Sequence, residues 1–499
     1  MTALQRFAFV IDQTRCIGCH ACTVACKMEN HVPLGVFRTW VKYIEKGEFP
    51  NARRFYTVLR CNHCDDAPCV RICPTAALFV RPDGIVDFDR DRCIGCKACM
   101  QACPYDALYI DPETSTAAKC HFCAHRIEVG LEPACVIVCP TRAIIWGDLE
   151  DPESQVSKAL RDNPVSVRKP EQGTKPKLYY IGADQHSLTP LAHRKEPTFM
   201  WSDSVVSGGS GGALVADAQV AYDVHHSRPW GLKIASYIFT KAVAAGLMMV
   251  LALLAAIFPG VLGPLALALV PAVAFLFLAV TAALLILDLK RPLRFVYIFL
   301  KPNFTSWLTR GSFVIAAFGL VTLLWPLLRS DALILPTLFV ACAAAGYSGL
   351  LFGQCEGRDF WQSPSALLHF IFSAPQAGSA AMIVLSPLLG LPPGVKTFLG
   401  GSLVLWNAIV ILIATSDLMQ RHTTVEAEVA KRYVTRGPGA LPFWAVTLGL
   451  GGVVSITTAV LYALSVDYAL GLVASLTSLT GLALYEVIWV KAGQAAPLS

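Results

Sequence analysis

Sixteen of the eighteen cysteines in this 499-residue chain fall in four quartets within its first 140 residues. They are Cys16, Cys19, Cys22 and Cys26; Cys61, Cys64, Cys69 and Cys73; Cys93, Cys96, Cys99 and Cys103; and Cys120, Cys123, Cys135 and Cys139. Thiolates at i, i+3 and i+6 on a tight loop reach three corners of one [4Fe–4S] cube, and a cysteine shortly after ligates a neighbouring cube. Proline follows the last cysteine of three quartets (Pro74, Pro104, Pro140), and Lys27 follows the first. Four quartets predict four [4Fe–4S] clusters in a row, the chemistry of a wire for single electrons. Structural zinc uses isolated C-x2-C pairs, so it leaves the third cysteine and the Cys-Pro ending without a purpose. Disulfides give no reason for the spacing. Ligated thiolates also make the cysteine count silent about the redox compartment.

Short loops and strands must hold these thiols. The run RCIGCHAC at Arg15 to Cys22 recurs as RCIGCKAC at Arg92 to Cys99. Phe7 to Val10 reads as a strand leading to Asp12, and strand-like segments at Ala77 to Val80 and Ala107 to Ile110 follow quartets. Two ferredoxin-like modules, one nested inside the other, account for the repetition. The expected ligand sets are then Cys16, Cys19 and Cys22 with Cys139; Cys120, Cys123 and Cys135 with Cys26; Cys61, Cys64 and Cys69 with Cys103; and Cys93, Cys96 and Cys99 with Cys73. Sequence assigns cysteines to motifs; their assignment to cubes is an inference.

Composition divides the chain. Hydrophobic residues make up 55% of it, too many for a soluble protein of this length, and they concentrate after Trp230. The expected organisation is an α+β tandem ferredoxin-like domain over 1–185, a linker over 186–230 containing Ser207 to Gly212 (SGGSGG), and an all-α membrane bundle over 231–491. Runs of about 20 apolar residues cross a bilayer as helices. Eight are expected, near 231–258, 263–287, 311–328, 332–352, 364–388, 396–417, 440–464 and 468–490. The net charge of +6 comes without a basic stripe carrying interleaved aromatics, so no nucleic-acid partner is expected. Met1 to Val10 has no apolar export core, small-residue cleavage site or twin arginine. An even span count puts both ends of the bundle on one side. Loops there carry Lys290, Arg291, Arg294, Lys301, Arg310, Arg358, Arg421, Lys431, Arg432, Arg436 and Lys491, against Arg329 and Lys396 opposite. The positive-inside rule predicts an inner-membrane protein with its cluster domain in the cytoplasm, unless some of those arginines serve instead to hold the cluster domain.

Ionisable groups inside spans are costly and therefore candidates for function. Asp288, Tyr347, Gln354, Glu356, His369, Asp417 and Glu486 are expected on the cluster-domain side, with His225 and His226 just before the first span. A quinone needs hydrogen bonds to its oxygens and two protons for two electrons, and Tyr, His and acidic residues supply both. Lys233 and Lys241 read as snorkelling side chains. No haem is expected, because His369 is the one intramembrane histidine and His422 lies in a loop. Cys342 and Cys355 read as small apolar fillers.

CIGCHACTVACKMEN, CNHCDDAPCVRICPTAA, CIGCKACMQACPYDA and KCHFCAHRIEVGLEPACVIVCPTRA resemble the four-cluster subunit of the dimethyl-sulfoxide-reductase group of molybdoenzymes. DLKRPLRFVYIFLKPNFTSWLTRGSF, with GYSGLL and GRDFW, resembles the polysulfide-reductase (NrfD-type) membrane anchors. The resemblance implies a fusion of two pieces that are normally separate. It implies a partner too, a large catalytic subunit holding a molybdopterin site with molybdenum or tungsten. The same resemblance puts the cluster of Cys93, Cys96 and Cys99 nearest the membrane, beside ubiquinone or menaquinone contacted by Tyr347 and His226, with Asp288 and Arg291 in the anchor's loop motif. His369 joins the quinone candidates from its position. Electron flow towards quinone, as in a sulfite dehydrogenase, is the expected direction. The alternatives are a quinol-oxidising anchor of a polysulfide, thiosulfate or sulfoxide reductase, or an ion-translocating redox module.

Overall fold

The computed structural model describes residues 5–47, 50–192, 218–328, 330–420 and 424–499. Ser207 to Gly212, Arg329, Arg421 and His422 lie outside the described residues.

Strand Phe7–Asp12 is buried along almost its whole length because it is central: it pairs antiparallel with Ile144–Asp148 and parallel with Leu178–Ile181. The expected entry strand and Leu178–Ile181 are therefore neighbours in one sheet. Two small hairpins, Leu78–Val80 with Val86–Phe88 and Leu108–Ile110 with Ala117–Lys119, follow the second and third quartets. A three-stranded antiparallel sheet runs in the order Ala218–Tyr222, Thr39–Lys46, Arg53–Arg60. Its first strand falls in the stretch read from sequence as linker. Ala218 and Ala221 are buried there, so the chain adds an edge to the iron–sulfur domain before it enters the membrane half.

The two CIGC repeats share one backbone shape. Gly18 and Gly95 have φ of +70° and +71°, followed two residues later by His20 at 59° and Lys97 at 64°. The left-handed turns bend the loop tightly around its cysteines, and glycine adopts them without a Cβ clash.

Among the described residues, eight helices are long and apolar enough to cross a membrane: α1 Leu232–Ile257, α2 Pro264–Asp288, α3 Trp307–Leu328, α4 Ile334–Gly353, α5 Ser365–Leu389, α6 Pro393–Met419, α7 Pro442–Ser465 and α8 Tyr468–Gly493. The chain is a multi-pass membrane protein. Helix α1 is central, packed against α2, α4, α5 and α8. Its crossing with α5 is a contact of bare backbones: a Cβ on Gly246 would stand 1.8 Å from the Ala374 carbonyl oxygen, and one on Gly378 2.1 Å from that of Gly246. Small residues permit such approach where lipid provides no hydrophobic drive between helices. The first thirteen residues of α7, Pro442–Val454, form a π-helix, whose wider turn leaves a small cavity against α5, α6 and α8.

Candidate electron-transfer site

The cysteines converge across motifs. One cavity is walled by Cys73, Cys93, Cys96 and Cys99, and a second by Cys61, Cys64, Cys69 and Cys103. In the outer module, Cys16 faces Cys139 and Cys19, while Cys22 lies near Cys135 as well as Cys16 and Cys19. Cys26 faces Cys135 and Cys123, and Cys120 faces Cys26, Cys61 and Cys135. Burial pushes the Cys22, Cys26 and Cys96 thiols up to about 12 and that of Cys103 to about 11. Bare thiolates are thus disfavoured here, whereas bonded metal deprotonates a thiol outright. Tetrahedral zinc with Zn–S bonds of about 2.3 Å needs sulfurs about 3.8 Å apart. No group of three or more His, Cys, Asp or Glu among the described residues is arranged to hold a single ion. Four thiols around a larger, cube-shaped cluster fit the cavities better.

The quartet Cys73, Cys93, Cys96 and Cys99 is sealed onto the membrane half. The amides of Lys290 and Arg291 donate to the carbonyls of Gly95 and Ile94, both at 3.2 Å. Asn303 Nδ2 donates to the Cys73 carbonyl at 2.8 Å, Thr309 Oγ1 to that of Pro74 at 3.0 Å, and Trp230 Nε1 to that of Cys96 at 3.4 Å. Backbone contact is tight: a Cβ on Gly357 would lie 2.6 Å from the Cys103 carbonyl oxygen. Trp230 stacks on Trp361, and Phe352, Trp489 and Phe370 continue the aromatic layer down to His369.

Several expected quinone contacts are engaged in this seam. Asp288 pairs with Lys97 Nζ at 2.7 Å. Arg291 donates through Nε and Nη2 to the Thr114 carbonyl at 2.9 and 2.6 Å. His226 Nδ1 lies 3.1 Å from Asp106 Oδ2, with its ring 5.1 Å from that of Trp40. Glu356 takes a two-pronged contact from Arg71 at 2.6 and 2.8 Å. Gln354 accepts from the Trp307 amide, and Asp417 accepts from Ser363 Oγ at 2.6 Å. His225 is exposed.

Beneath the seam, the membrane half buries a second set of polar groups. His369 Nε2 lies 2.9 Å from Glu486 Oε1, with the carboxylate fully buried. His369 Nδ1 and Glu486 Oε2 have no partner. Lys241 overturns the snorkelling expectation: it is 1% exposed, inside the bundle. Its Nζ donates to the Ala345 carbonyl at 2.9 Å and to Ser348 Oγ at 2.5 Å, and sits 4.3 Å over the Tyr347 ring. Ten residues into its helix, about 15 Å from the start, it is too deep to reach the headgroups. That depth was the available signal; its inward face was not visible in sequence. Lys233, by contrast, is exposed and ends on the Leu287 carbonyl.

Residues 222–497, more than half of the chain, match the polysulphide reductase family NrfD. The chain belongs to the NrfD family. Ahead of its NrfD half, residues 52–149 match the 4Fe-4S dicluster domain and residues 13–29 a 4Fe-4S binding domain. The molecule therefore joins a 4Fe–4S electron-transfer domain to an NrfD-type membrane domain in one polypeptide. Its iron–sulfur half is similar to a tetrathionate reductase subunit of Salmonella typhimurium, 46% identical over 202 residues, which are 40% of this chain and 80% of the relative. It is 43% identical over 182 residues to a polysulfide reductase chain of Wolinella succinogenes, 36% of this chain and 94% of the relative. A putative dimethyl sulfoxide reductase iron-sulfur subunit of Halobacterium salinarum is 39% identical over 222 residues, 38% of this chain and 85% of the relative.

Proposed function

We propose that this NrfD-family chain carries electrons between a molybdopterin catalytic partner, holding molybdenum or tungsten, and the quinone pool of a bacterial inner membrane. The observation that carries the reading is the stacking order: a four-cysteine cavity sealed on the membrane half, with Tyr347, Lys241, His369 and Glu486 buried beneath it. Four [4Fe–4S] clusters, held by the four cysteine sets named above, would supply one-electron storage and transfer at each step. The cavities and the facing cysteines support these sets. At the distal end Cys19 is exposed, and Ile17, Val24, Met28 and Leu34 around it are exposed apolar side chains. They suit the docking of a catalytic partner, and the reductase names of the relatives support one.

On the membrane side, Tyr347 and His369 remain as contacts for a ubiquinone or menaquinone head group, joined by Lys241 and Glu486. The orphaned His369 Nδ1 and Glu486 Oε2 fit a ligand that exchanges protons and accepts hydrogen bonds. Asp288, Arg291 and His226 act instead by fixing the seam. No haem is included in this reading: His369, the one histidine within the described spans, is paired with the Glu486 carboxylate, and haem b takes two axial histidines. Arg291, Arg294 and Arg358 bond to the iron–sulfur domain, so they weigh less as topology signals. Lys301, Arg310, Lys431, Arg432, Arg436 and Lys491 still outnumber Arg329 and Lys396, which supports a cytoplasmic cluster domain.

Electrons run towards quinone in this reading. The relatives' names favour the reverse, a quinol-oxidising reductase anchor. Potentiometric titration decides between them: clusters all well above the quinone potential would defeat quinone reduction. Tyr347→Phe and His369→Gln should each slow the quinone reaction without loss of iron, and unchanged kinetics would remove them from the site.

An ion-translocating role has one observation behind it. His369, Ser373, Gln376, Ser379 and Ser386 are all buried on one face of α5, spanning about 25 Å. Gln376 Nε2 bonds Asn407 Oδ1 at 2.7 Å and Ser478 Oγ at 3.1 Å, and Asn407 Nδ2 bonds Ser455 Oγ at 3.0 Å. If this file conducts protons, Asn407→Leu in sealed vesicles should abolish vectorial proton movement while leaving quinone turnover in detergent intact. Equal proton movement in both proteins would rule it out.

A further inference from the structure

Arg60 ends strand Arg53–Arg60 and is fully buried. Its Nη1 donates to Cys135 Sγ at 3.1 Å, and its guanidinium lies 4.5 Å from the centre of the Phe9 ring. Nε and Nη2 are buried without a protein partner. The thiols that face it are Cys135, Cys120 and, from the neighbouring set, Cys22. A guanidinium keeps its charge at every physiological pH, and burying it with no anion is strongly unfavourable.

Two other buried cations near cysteines are neutralised by acids: Lys97 by Asp288 and Lys177 by Asp65, both at 2.7 Å. Arg38, beside Cys26, bonds only the neutral Tyr109 hydroxyl and Asn30 Oδ1, both at 3.3 Å, and Lys119 likewise has neutral partners. It is fully buried, and its Nζ donates to the carbonyls of Cys120, at 2.8 Å, and Val86. Cys26, Cys120, Cys123 and Cys135 thus have three buried basic groups beside them, Arg60, Arg38 and Lys119, whose bonds go to sulfur and neutral oxygens. Net charge and hydrogen bonds to sulfur are the levers that set cluster potentials.

We propose that Arg60, with Lys119 behind it, makes the centre held by Cys26, Cys120, Cys123 and Cys135 the highest-potential of the four, the electron store of the wire. Arg60 favours the state with one extra electron on that centre. The electron comes from a neighbouring centre, which is oxidised by one; no bond forms or breaks and no proton moves. Electrons then wait one step inside the distal end, ready for a partner that consumes them in pairs. The inference rests on the four-cluster reading above. Arg60 is a positioning residue: it acts on the centre through Cys135 and through its charge.

The test is an EPR-monitored potentiometric titration of the full-length chain in nanodiscs, with iron and acid-labile sulfide counted in each sample. Arg60→Gln should lower the highest-potential signal at least tenfold in its reduction equilibrium, ~59 mV for one electron. The other three signals should move by less than about threefold in the same equilibrium. Arg60→Lys, which keeps the charge, should restore most of the shift, an outcome that a packing role would not produce. A high-potential signal that stays in place with iron intact, or equal shifts of all four, overturns the proposal. Should Arg60→Gln lose iron, Lys119→Gln must lower the same signal, and its failure to do so is equally decisive against the idea. A wild-type iron count far below about 16 per chain would instead defeat the four-cluster reading, and the proposal with it.

Discussion

Asp288→Asn separates two roles for one carboxylate. In the structure Asp288 faces Lys97 at 2.7 Å, with side chains 13% and 8% exposed. Removing one partner of such a pair costs ~3–5 kcal/mol, because the other charge is left buried alone. The slight water access of Asp288 puts the expectation at the lower end, about 3 kcal/mol. That energy should appear locally. The Lys290 and Arg291 amides bond Gly95 and Ile94 across the seam, so their hydrogen exchange reports its opening. If exchange requires the seam to open, 3 kcal/mol is roughly a hundredfold acceleration, readable by mass spectrometry of a peptide covering 289–296 in nanodiscs. The double variant Lys97→Met with Asp288→Leu should recover most of the protection, since apolar groups replace a buried pair at little cost. The cycle of single and double variants then isolates the coupling. Unchanged exchange in Asp288→Asn, together with a raised KM for quinone, would refute this reasoning and return Asp288 to the quinone site.

Lys241→Met should slow the quinone reaction with cluster content unchanged. A unit charge about 4 Å from a developing anion is worth ~4 kcal/mol at an effective dielectric of 20, so stopped-flow should show a hundredfold loss or more; a change under threefold would exclude Lys241 from the reaction. Gly246→Leu drives a side chain into the Ala374 carbonyl and should abolish insertion of a stable bundle, seen as loss of a monodisperse peak, whereas Gly394→Leu, at a position with open space, should be tolerated. Gly357→Ala should destabilise the seam by about 1–3 kcal/mol through overpacking on Cys103 and Gln101, measured as faster exchange of the same 289–296 peptide. Glu486→Gln should shift the pH profile of quinone turnover while leaving cluster potentials in place; an unaltered profile would take Glu486 out of proton exchange.

What could be read in the sequence was what spacing or length determines. The cysteine quartets were legible because each opens on a C-x2-C pair and ends on a cysteine four residues after the third, and the eight spans because a bilayer demands a run of about 20 apolar residues. Side-chain direction was not. The Glu486 carboxylate looks like a helix-end charge in a hydropathy trace, and nothing there shows which way the Lys241 ammonium points, yet neighbouring helices enclose both. His369 and Glu486 are 117 residues apart, and no local pattern announces their contact. Asp288 and Arg291 stand out in the sequence as polar groups at a span's end, but their partners are Lys97 and the Thr114 carbonyl on the other half of the chain. The strand Ala218–Tyr222 was hidden for another reason: its pairing partner is Thr39–Lys46, far upstream, and its short alternation is too brief to stand out against the polar sequence before it.

That strand, with the last residues of the chain, bears on what the fusion accomplishes. Ala218–Tyr222 stays in the iron–sulfur sheet although it lies on the membrane side of 193–217. At the other end, Gln494 accepts from Gln101 Nε2 at 2.7 Å, and Arg168 Nη2 donates to the Leu498 carbonyl at 2.9 Å. Both flanks of the membrane half are thus stitched into the other half. A cut anywhere within 193–217 would leave two fragments held by the same seam, much as separate subunits would be. The covalent join then contributes chiefly stoichiometry and local concentration: every wire is made with its own membrane terminus, and none has to find one by diffusion.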